Sequence, residues 1–233
     1  MKLLSVNVSQ GKTVADDGKT VETGIFKEPV EGSVTVRTLN LDGDRQADRE
    51  FHGGACKAVY AYPFEHYDFW ERDLGRTDFG YGQFGENLTV EGLLEDDVCV
   101  GDLLRVGTSI FELTQPRVPC FKLGIRMGGL RDFPNRFLKS GRVGFYLRVV
   151  EEGAIQAGDT VEHVRVDPDG MTIRELHHAM HFDRRNVEAA RKALGLAALS
   201  PGWCRGFERR LAAAGVPFEP RRHPLDSQCC AGL

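Results

Sequence analysis

From its first residue to about residue 166 the chain reads as short apolar runs separated by glycine-rich polar breaks. The runs predict strands at 3–8, 33–39, 57–62, 87–90, 103–106, 109–114, 143–150 and 160–166. Gly101-Asp102, Gly107, Glu152-Gly153 and Gly158-Asp159 break the series at turn-like intervals. Many short strands closing on themselves predict a mainly β fold, a β-barrel with a few helices. One helix interrupts early. Pro63 suits a first helical position, and Phe64, Tyr67, Trp70 and Leu74 form an apolar stripe. Pro134 opens another short helix that ends before Gly141.

The pattern changes at Asp167-Pro168-Asp169-Gly170, a turn signal. Three helical patterns follow. Thr172 with Glu175 forms a capping box for the first. Asp183 caps the second, which ends near Gly195. Ser200-Pro201 opens the third, which ends before Gly215. Helices this short are marginal alone, so they must pack on each other, on the β part or on a second subunit. The expected organisation is a β-barrel domain over 1–166, a three-helix extension over 167–216, and a mobile tail over 217–233 that has no period.

Composition narrows the class. The chain has 233 residues, 41% hydrophobic and 27% charged, which fits a globular domain with a small appendage. A net charge of -4 gives no global pull toward nucleic acid, so an anion site must be a local patch. No run approaches the roughly 20 apolar residues of a membrane span. The opening segment turns polar too soon for a signal peptide, and a cytoplasmic location is the default expectation. The cysteines are Cys56, Cys99, Cys120, Cys204, Cys229 and Cys230. They form no zinc-type cluster, and reduced thiols are expected.

Cys120 carries the most chemistry. It follows the 109–114 run inside Gln115-Pro116-Arg117-Val118-Pro119-Cys120-Phe121-Lys122. The two prolines forbid a regular helix or central strand and favour a stiff loop at a strand end. Arg117 and Lys122 place positive charge nearby, which favours thiolate over thiol. Such a thiolate suits a nucleophile, a sulfur carrier or a ligand to a soft metal in an anionic cofactor. The plain alternative is a buried structural cysteine.

A second segment runs from Gly43-Asp44 to His52-Gly53-Gly54 and Lys57-Ala58-Val59. It places an imidazole, close-approaching backbone and a cation where an anion could sit, or else it forms two surface turns. Gly80-Tyr81-Gly82-Gln83-Phe84-Gly85 has dinucleotide-fingerprint spacing, but a strand rather than a helix follows, so that reading is rejected. Asn87 beside it could donate to a ligand or to its own turn. His177, His178 and His181 have helical spacing without the glutamate of a zinc-peptidase motif and read as packing or surface residues.

Together these segments resemble the MOSC domain family, named for the molybdenum cofactor sulfurase C-terminal domain. The carrying residues are Gly43-Asp44, His52-Gly53-Gly54 with Lys57-Ala58-Val59, Phe84-Gly85-Glu86-Asn87-Leu88, Gly101-Asp102, and the segment from Gln115 to Lys122. The helical end, with Trp203 and the run from Arg205 to Leu211, is similar to the three-helix extension of one bacterial branch. That branch includes resistance to 6-N-hydroxylaminopurine.

The resemblance implies a MOSC-type β-barrel that carries the molybdenum cofactor (molybdopterin), with Cys120 as the molybdenum ligand. His52, Lys57, Asn87, Gln115, Arg117, Lys122 and Arg142 are the implied cofactor-binding residues. It implies a detoxifying oxidoreductase that removes oxygen from N-hydroxylated small molecules such as base analogues. Electrons would come from a separate NAD(P)H-dependent reductase. No nucleic-acid polymer or membrane is implied, and a homodimer is the favoured role for the helices. Two alternatives stay open: a cofactor or sulfur carrier without turnover, and a cysteine hydrolase pairing Cys120 with His52.

Overall fold

The structure is a computed structural model that describes residues 1–47 and 53–219. His52, Cys229, Cys230 and most of the expected tail lie outside the described residues.

The chain opens with β1 (Lys2–Val8), then β2 (Lys12–Asp16), β3 (Lys19–Thr23), β4 (Glu28–Pro29), β5 (Val34–Arg37) and β6 (Asn40–Leu41). A 3-10 turn over Ala55–Lys57 leads into β7 (Val59–Pro63). Helix α1 (Glu65–Leu74) follows, then β8 (Leu88–Glu91), β9 (Leu103–Val106) and β10 (Ser109–Pro116). Next come α2 (Phe121–Arg126), α3 (Phe133–Ser140), β11 (Phe145–Glu151), β12 (Gly153–Ile155) and β13 (Val161–Arg165). The chain finishes with α4 (Ile173–His181), α5 (Val187–Gly195) and α6 (Pro201–Ala213).

Eight strands form one mixed sheet in the order β13-β9-β10-β11-β7-β8-β1-β4. Only β7 and β8 run parallel. A parallel pair needs a long crossover, and α1 with the loop after it supplies one. The helix buries His66, Tyr67 and Trp70 and stops at Gly75, which takes a left-handed C-cap (φ 63°).

The mainly β fold followed by three helices is found as expected, and its sheet curls without forming a regular closed barrel. The two ends of the sheet approach each other, but they meet at the isolated bridge Lys2↔Thr160 and flanking backbone bonds such as Leu3 N–H to Asp159 O at 2.9 Å. No strand ladder joins β1 to β13, so the sheet curls without a continuous seam.

β10 is buried along its whole length, as a central strand covered on both faces must be. Its pairing with β11 shifts register between Leu113 and Gln115. A bulge of this kind re-aims the side chains that follow, here at the mouth of the functional segment.

The helical extension is joined to this core. Ile173, Leu176, Trp203 and Phe207 belong to the same apolar cluster as Phe111 and Leu113 of β10. The Thr172–Glu175 capping box is present in both directions, at 3.0 and 2.9 Å. The second cap differs from expectation. Asn186, not Asp183, accepts from Ala189 N–H at 2.9 Å, and the Asp183 carboxylate in turn accepts from the Asn186 amide at 2.8 Å.

Candidate functional site

β10 delivers the chain to Pro116, and after four intervening residues α2 begins at Phe121. Arg117 fixes this connection. Its backbone N–H donates to Gly144 O at 3.2 Å, and its guanidinium turns inward to donate to Phe84 O at 2.5 Å. The guanidinium carbon sits 4.6 Å from the Tyr60 ring centroid and 5.5 Å from that of Phe137. Burial works against its charge, but the Tyr60 and Tyr146 phenols and Cys120 hold its pKa above the ordinary arginine value. Arg117 is therefore a buried, permanent cation.

Cys120 is a half-buried free thiol. It stands at the boundary of α2 in extended conformation (φ -120°, ψ 174°) and does not cap the helix with its side chain. It thus ends the loop that follows β10, at the junction with α2.

Cys120 opens onto a cleft whose wall includes Val118, Lys122, Tyr60 and Tyr146 on its own side. The lining also includes the 23–25 and 44–47 segments, Lys27, Lys57, Gly85 and Asn87. Two glycines let these segments approach. A Cβ at Gly85, where φ is +80°, would fall 2.6 Å from Ile25 Cγ1, and one at Gly24 would collide with the Arg45 carbonyl.

The charge of the lining is lopsided. Lys27, Arg45, Lys57, Arg117 and Lys122 contribute cations, and Asp44 is the single carboxylate among the described lining residues. Asp44 accepts three hydrogen bonds. Its Oδ1 accepts from Ser9 N–H at 2.8 Å and from Lys27 Nζ at 2.5 Å, and its Oδ2 accepts from the Asn87 amide at 2.9 Å.

The structure thus brings together Cys120, Lys57, Asn87, Arg117 and Lys122 from the sequence-predicted set. Asn87 has a different task from the one expected. Its Oδ1 accepts from Tyr60 N–H at 3.2 Å and its amide is spent on Asp44 and on Asn7 O, so it orders the wall.

Gln115 does not line the cleft. It is buried beneath the connection, with its Oε1 unpartnered. Arg142 lies in another groove, beside His66 and Arg174, with its guanidinium 4.0 Å from the Phe69 ring centroid.

Sequence reasoning missed Lys27, Arg45, Tyr60 and Tyr146 as lining residues, and missed the role of Asp44 in holding Lys27 and Asn87. Lys27 stands in an irregular segment between β3 and β4, where no period marks it.

Other predicted features find structural roles. The Gly80–Gly85 loop is held from inside by Glu86, whose carboxylate accepts from Gly82 N–H at 2.9 Å, Phe84 N–H at 3.0 Å, Thr89 Oγ1 at 2.9 Å and the Tyr67 hydroxyl. β8 follows this loop, in agreement with rejecting a dinucleotide site. His177 and His181 are kept neutral, mainly by burial, with pKa values lowered to about 3 and about 4. Among the described residues no cluster of three or more metal-ligating side chains occurs. Cys99 and Cys204 are free thiols, whereas Cys56, expected to be reduced, is disulfide-bonded. No helix among the described residues is long and apolar enough to cross a membrane.

Comparison with known proteins gives concordant matches. Residues 48–162 match the MOSC domain, and residues 171–214 match the YiiM-like, 3-alpha helix domain. The chain is 39% identical to the protein YflK of Bacillus subtilis, over 89% of this chain and 93% of that one. It is 34% identical to a protein named as a reductase in Gibberella moniliformis, over 68% of this chain but only 28% of that longer protein. The crystal structure of YiiM from Geobacillus stearothermophilus superposes with a TM-score of 0.76 at 36% identity, covering 90% of this chain and 98% of that one.

Proposed function

The chain belongs to the MOSC family, with the YiiM-like three-helix domain behind it, and on that premise we propose a molybdenum-cofactor-dependent reductase that removes oxygen from N-hydroxylated compounds. One observation carries this reading: a free thiol opens onto a cleft whose charged lining, among the described residues, is cationic but for one hydrogen-bonded carboxylate.

The donor set fits the group. A thiolate at Cys120 is a soft ligand suited to molybdenum already bound by dithiolene sulfur. The half-exposed ammonium groups of Lys57 and Lys122 suit the phosphate of the pterin, whose charge needs point cations at the rim of the cleft. When bound, the cofactor would supply the two-electron chemistry of the reaction.

The protein's own contribution is placement. Arg117 anchors the connection ahead of Cys120 and keeps positive charge beneath it. Asn87 and Ser9 hold Asp44, and Asp44 holds Lys27. The sum of the reaction is N–OH plus two electrons and two protons, giving N–H and water. The electrons would arrive from a separate NAD(P)H-dependent reductase. The reductase name of the Gibberella relative supports oxidoreductase chemistry in a larger protein that includes this fold.

The test is the molybdenum and pterin content of protein purified from a cofactor-competent host, wild type beside Cys120→Ala, followed by assay with 6-N-hydroxylaminopurine and an added reductase. Stoichiometric metal that is lost or labile in the variant, together with turnover, supports the reading. Bound metal without turnover favours a carrier. Metal-free and pterin-free wild type, with a control molybdoenzyme loading normally, removes the reading.

A further inference from the structure

We propose that Lys27, oriented by Asp44, donates the proton that converts the departing oxygen of the N-hydroxylated substrate to water. This deepens the functional reading above and rests on it.

The geometry begins with burial. The Lys27 side chain is 9% exposed and the Asp44 side chain 1%, yet both line the cleft onto which Cys120 opens. The backbone of Lys27 is fixed from below: Gly82 packs so closely that a Cβ there would come 2.6 Å from the Lys27 carbonyl oxygen. The ammonium has three N–H donors. One goes to Asp44 Oδ1 at 2.5 Å, and no further acceptor occurs among the described residues. Asp44 is held in place by two further donors, Ser9 N–H on Oδ1 and the Asn87 amide on Oδ2. A buried ammonium with unspent donors is costly unless something in the cleft accepts them.

The other lining groups are poorer proton donors. Arg117 keeps its proton at any working pH. Burial raises the pKa of the Tyr60 and Tyr146 phenols. Lys57 and Lys122 are half-exposed, without the burial that sets Lys27 apart. Lys27 differs, since burial lowers its pKa while Asp44 and, less strongly, Glu86 oppose that shift without reversing it. It gives up a proton more readily than an ordinary lysine and stays next to a carboxylate that favours recharging.

The step balances. The N–O bond breaks, and the electron pair that reduces nitrogen comes from the two-electron donor of the proposed reaction. One proton passes from Lys27 Nζ to the leaving oxygen, and the second comes from solvent. Lys27, then a neutral amine hydrogen-bonded to Asp44, regains its proton from solvent through the mouth of the cleft.

The experiment compares wild type, Lys27→Met and Lys27→Arg, each loaded in a cofactor-competent host. It reads metal and pterin content, the pH profile of kcat with and without added methylamine, and the Nζ titration of metal-free wild type by lysine-selective 15N NMR. The expected result is unchanged cofactor content with kcat lower by about 100-fold or more in both variants. Methylamine should restore part of the loss in Lys27→Met. The wild-type rate should fall as pH rises through the Lys27 titration, and that limb should vanish in Lys27→Met. Turnover of either variant within about threefold of wild type overturns the proposal. So does loss of cofactor in step with activity, which would make Lys27 a cofactor ligand. Wild type without metal or pterin sinks the functional reading itself, and the proposal with it, on a sample no substitution has touched.

Discussion

The Arg117 guanidinium lies 4.6 Å from the centre of the Tyr60 ring and donates to the Phe84 carbonyl. Among the described residues no carboxylate pairs with it. Desolvating a guanidinium costs several kcal/mol, and neutral hydrogen bonds with two ring faces return about as much or less. On stability alone the cation is at best neutral. We therefore expect Arg117→Met to leave the unfolding free energy of metal-free protein within about 1 kcal/mol of wild type, or to raise it. Pterin retained on purification should nevertheless fall at least about tenfold, a loss of roughly 1.4 kcal/mol of binding. Urea unfolding and pterin fluorescence measure the two. A destabilisation above about 3 kcal/mol with normal pterin content would make Arg117 a structural residue instead.

Glu95 ties the sheet to the helical extension. Its carboxylate accepts from Gly144 N–H at 2.8 Å and from His66 Nε2 at 2.7 Å, and the Arg174 guanidinium lies 3.8 Å away. Gly144 is also the residue whose carbonyl anchors Arg117. Burial pushes the Glu95 pKa upward, but His66 and the Gly144 N–H more than offset it and bring it below the ordinary 4.5. A folded pKa below the unfolded one stabilises above the unfolded value, and this stability is lost as pH falls through the folded value. Glu95→Gln should therefore flatten the loss of stability below about pH 4.5. Unfolding curves collected downward from pH 6 test this, and parallel pH profiles for the two proteins would contradict it.

What the sequence disclosed depended on how local the signal was. The strand at 103–106 and the Thr172–Glu175 capping box are written in neighbouring residues and are found where expected. The β2–β3 hairpin escaped because neither strand has an apolar face to alternate. Its Asp17-Gly18 turn, with both residues at positive φ, was the available clue. Barrel closure depended on whether the first and last strands meet in register, which no local pattern encodes. At the site, Cys120, Lys57 and Lys122 were legible because they sit in distinctive motifs. Lys27 is defined only by Asp44, seventeen residues away, so no window around it announces its burial. Arg142 shows the reverse error, a cation near the right strand that the chain turns into a different groove.

His177 and His181 should make stability fall with pH well above the carboxylate range. Burial lowers their pKa values from 6.5 to about 3 and about 4. Both are neutral in the folded protein at neutral pH. Below about pH 6.5 the unfolded chain takes up protons that the folded one refuses, so stability declines until the folded residues titrate. A double substitution His177→Leu and His181→Leu should remove most of the slope between about pH 6.5 and 4, whatever it does to stability at pH 8. Thermal unfolding at a series of pH values reads the slope directly. A wild-type curve that is flat over that window would refute the burial argument.

Gly85 shapes the cleft by lacking a side chain. At φ +80° an alanine is strained by roughly 1–2 kcal/mol, and its Cβ would lie 2.6 Å from Ile25 Cγ1, which adds an overpacking cost of about 1–3 kcal/mol. Gly85→Ala should therefore lower stability by about 2–5 kcal/mol. The two terms can be separated. Ile25→Ala removes the clashing atom, so the double variant should recover the overpacking part and keep the backbone strain. Expressed as a double-mutant cycle, the coupling between positions 25 and 85 should be favourable by about 1–2 kcal/mol. Because both residues line the cleft, the single variant should also lose bound pterin, and the double variant should regain part of it. Additive effects on stability at the two positions would mean that the loop moves aside and that strain at Gly85 is the whole cost.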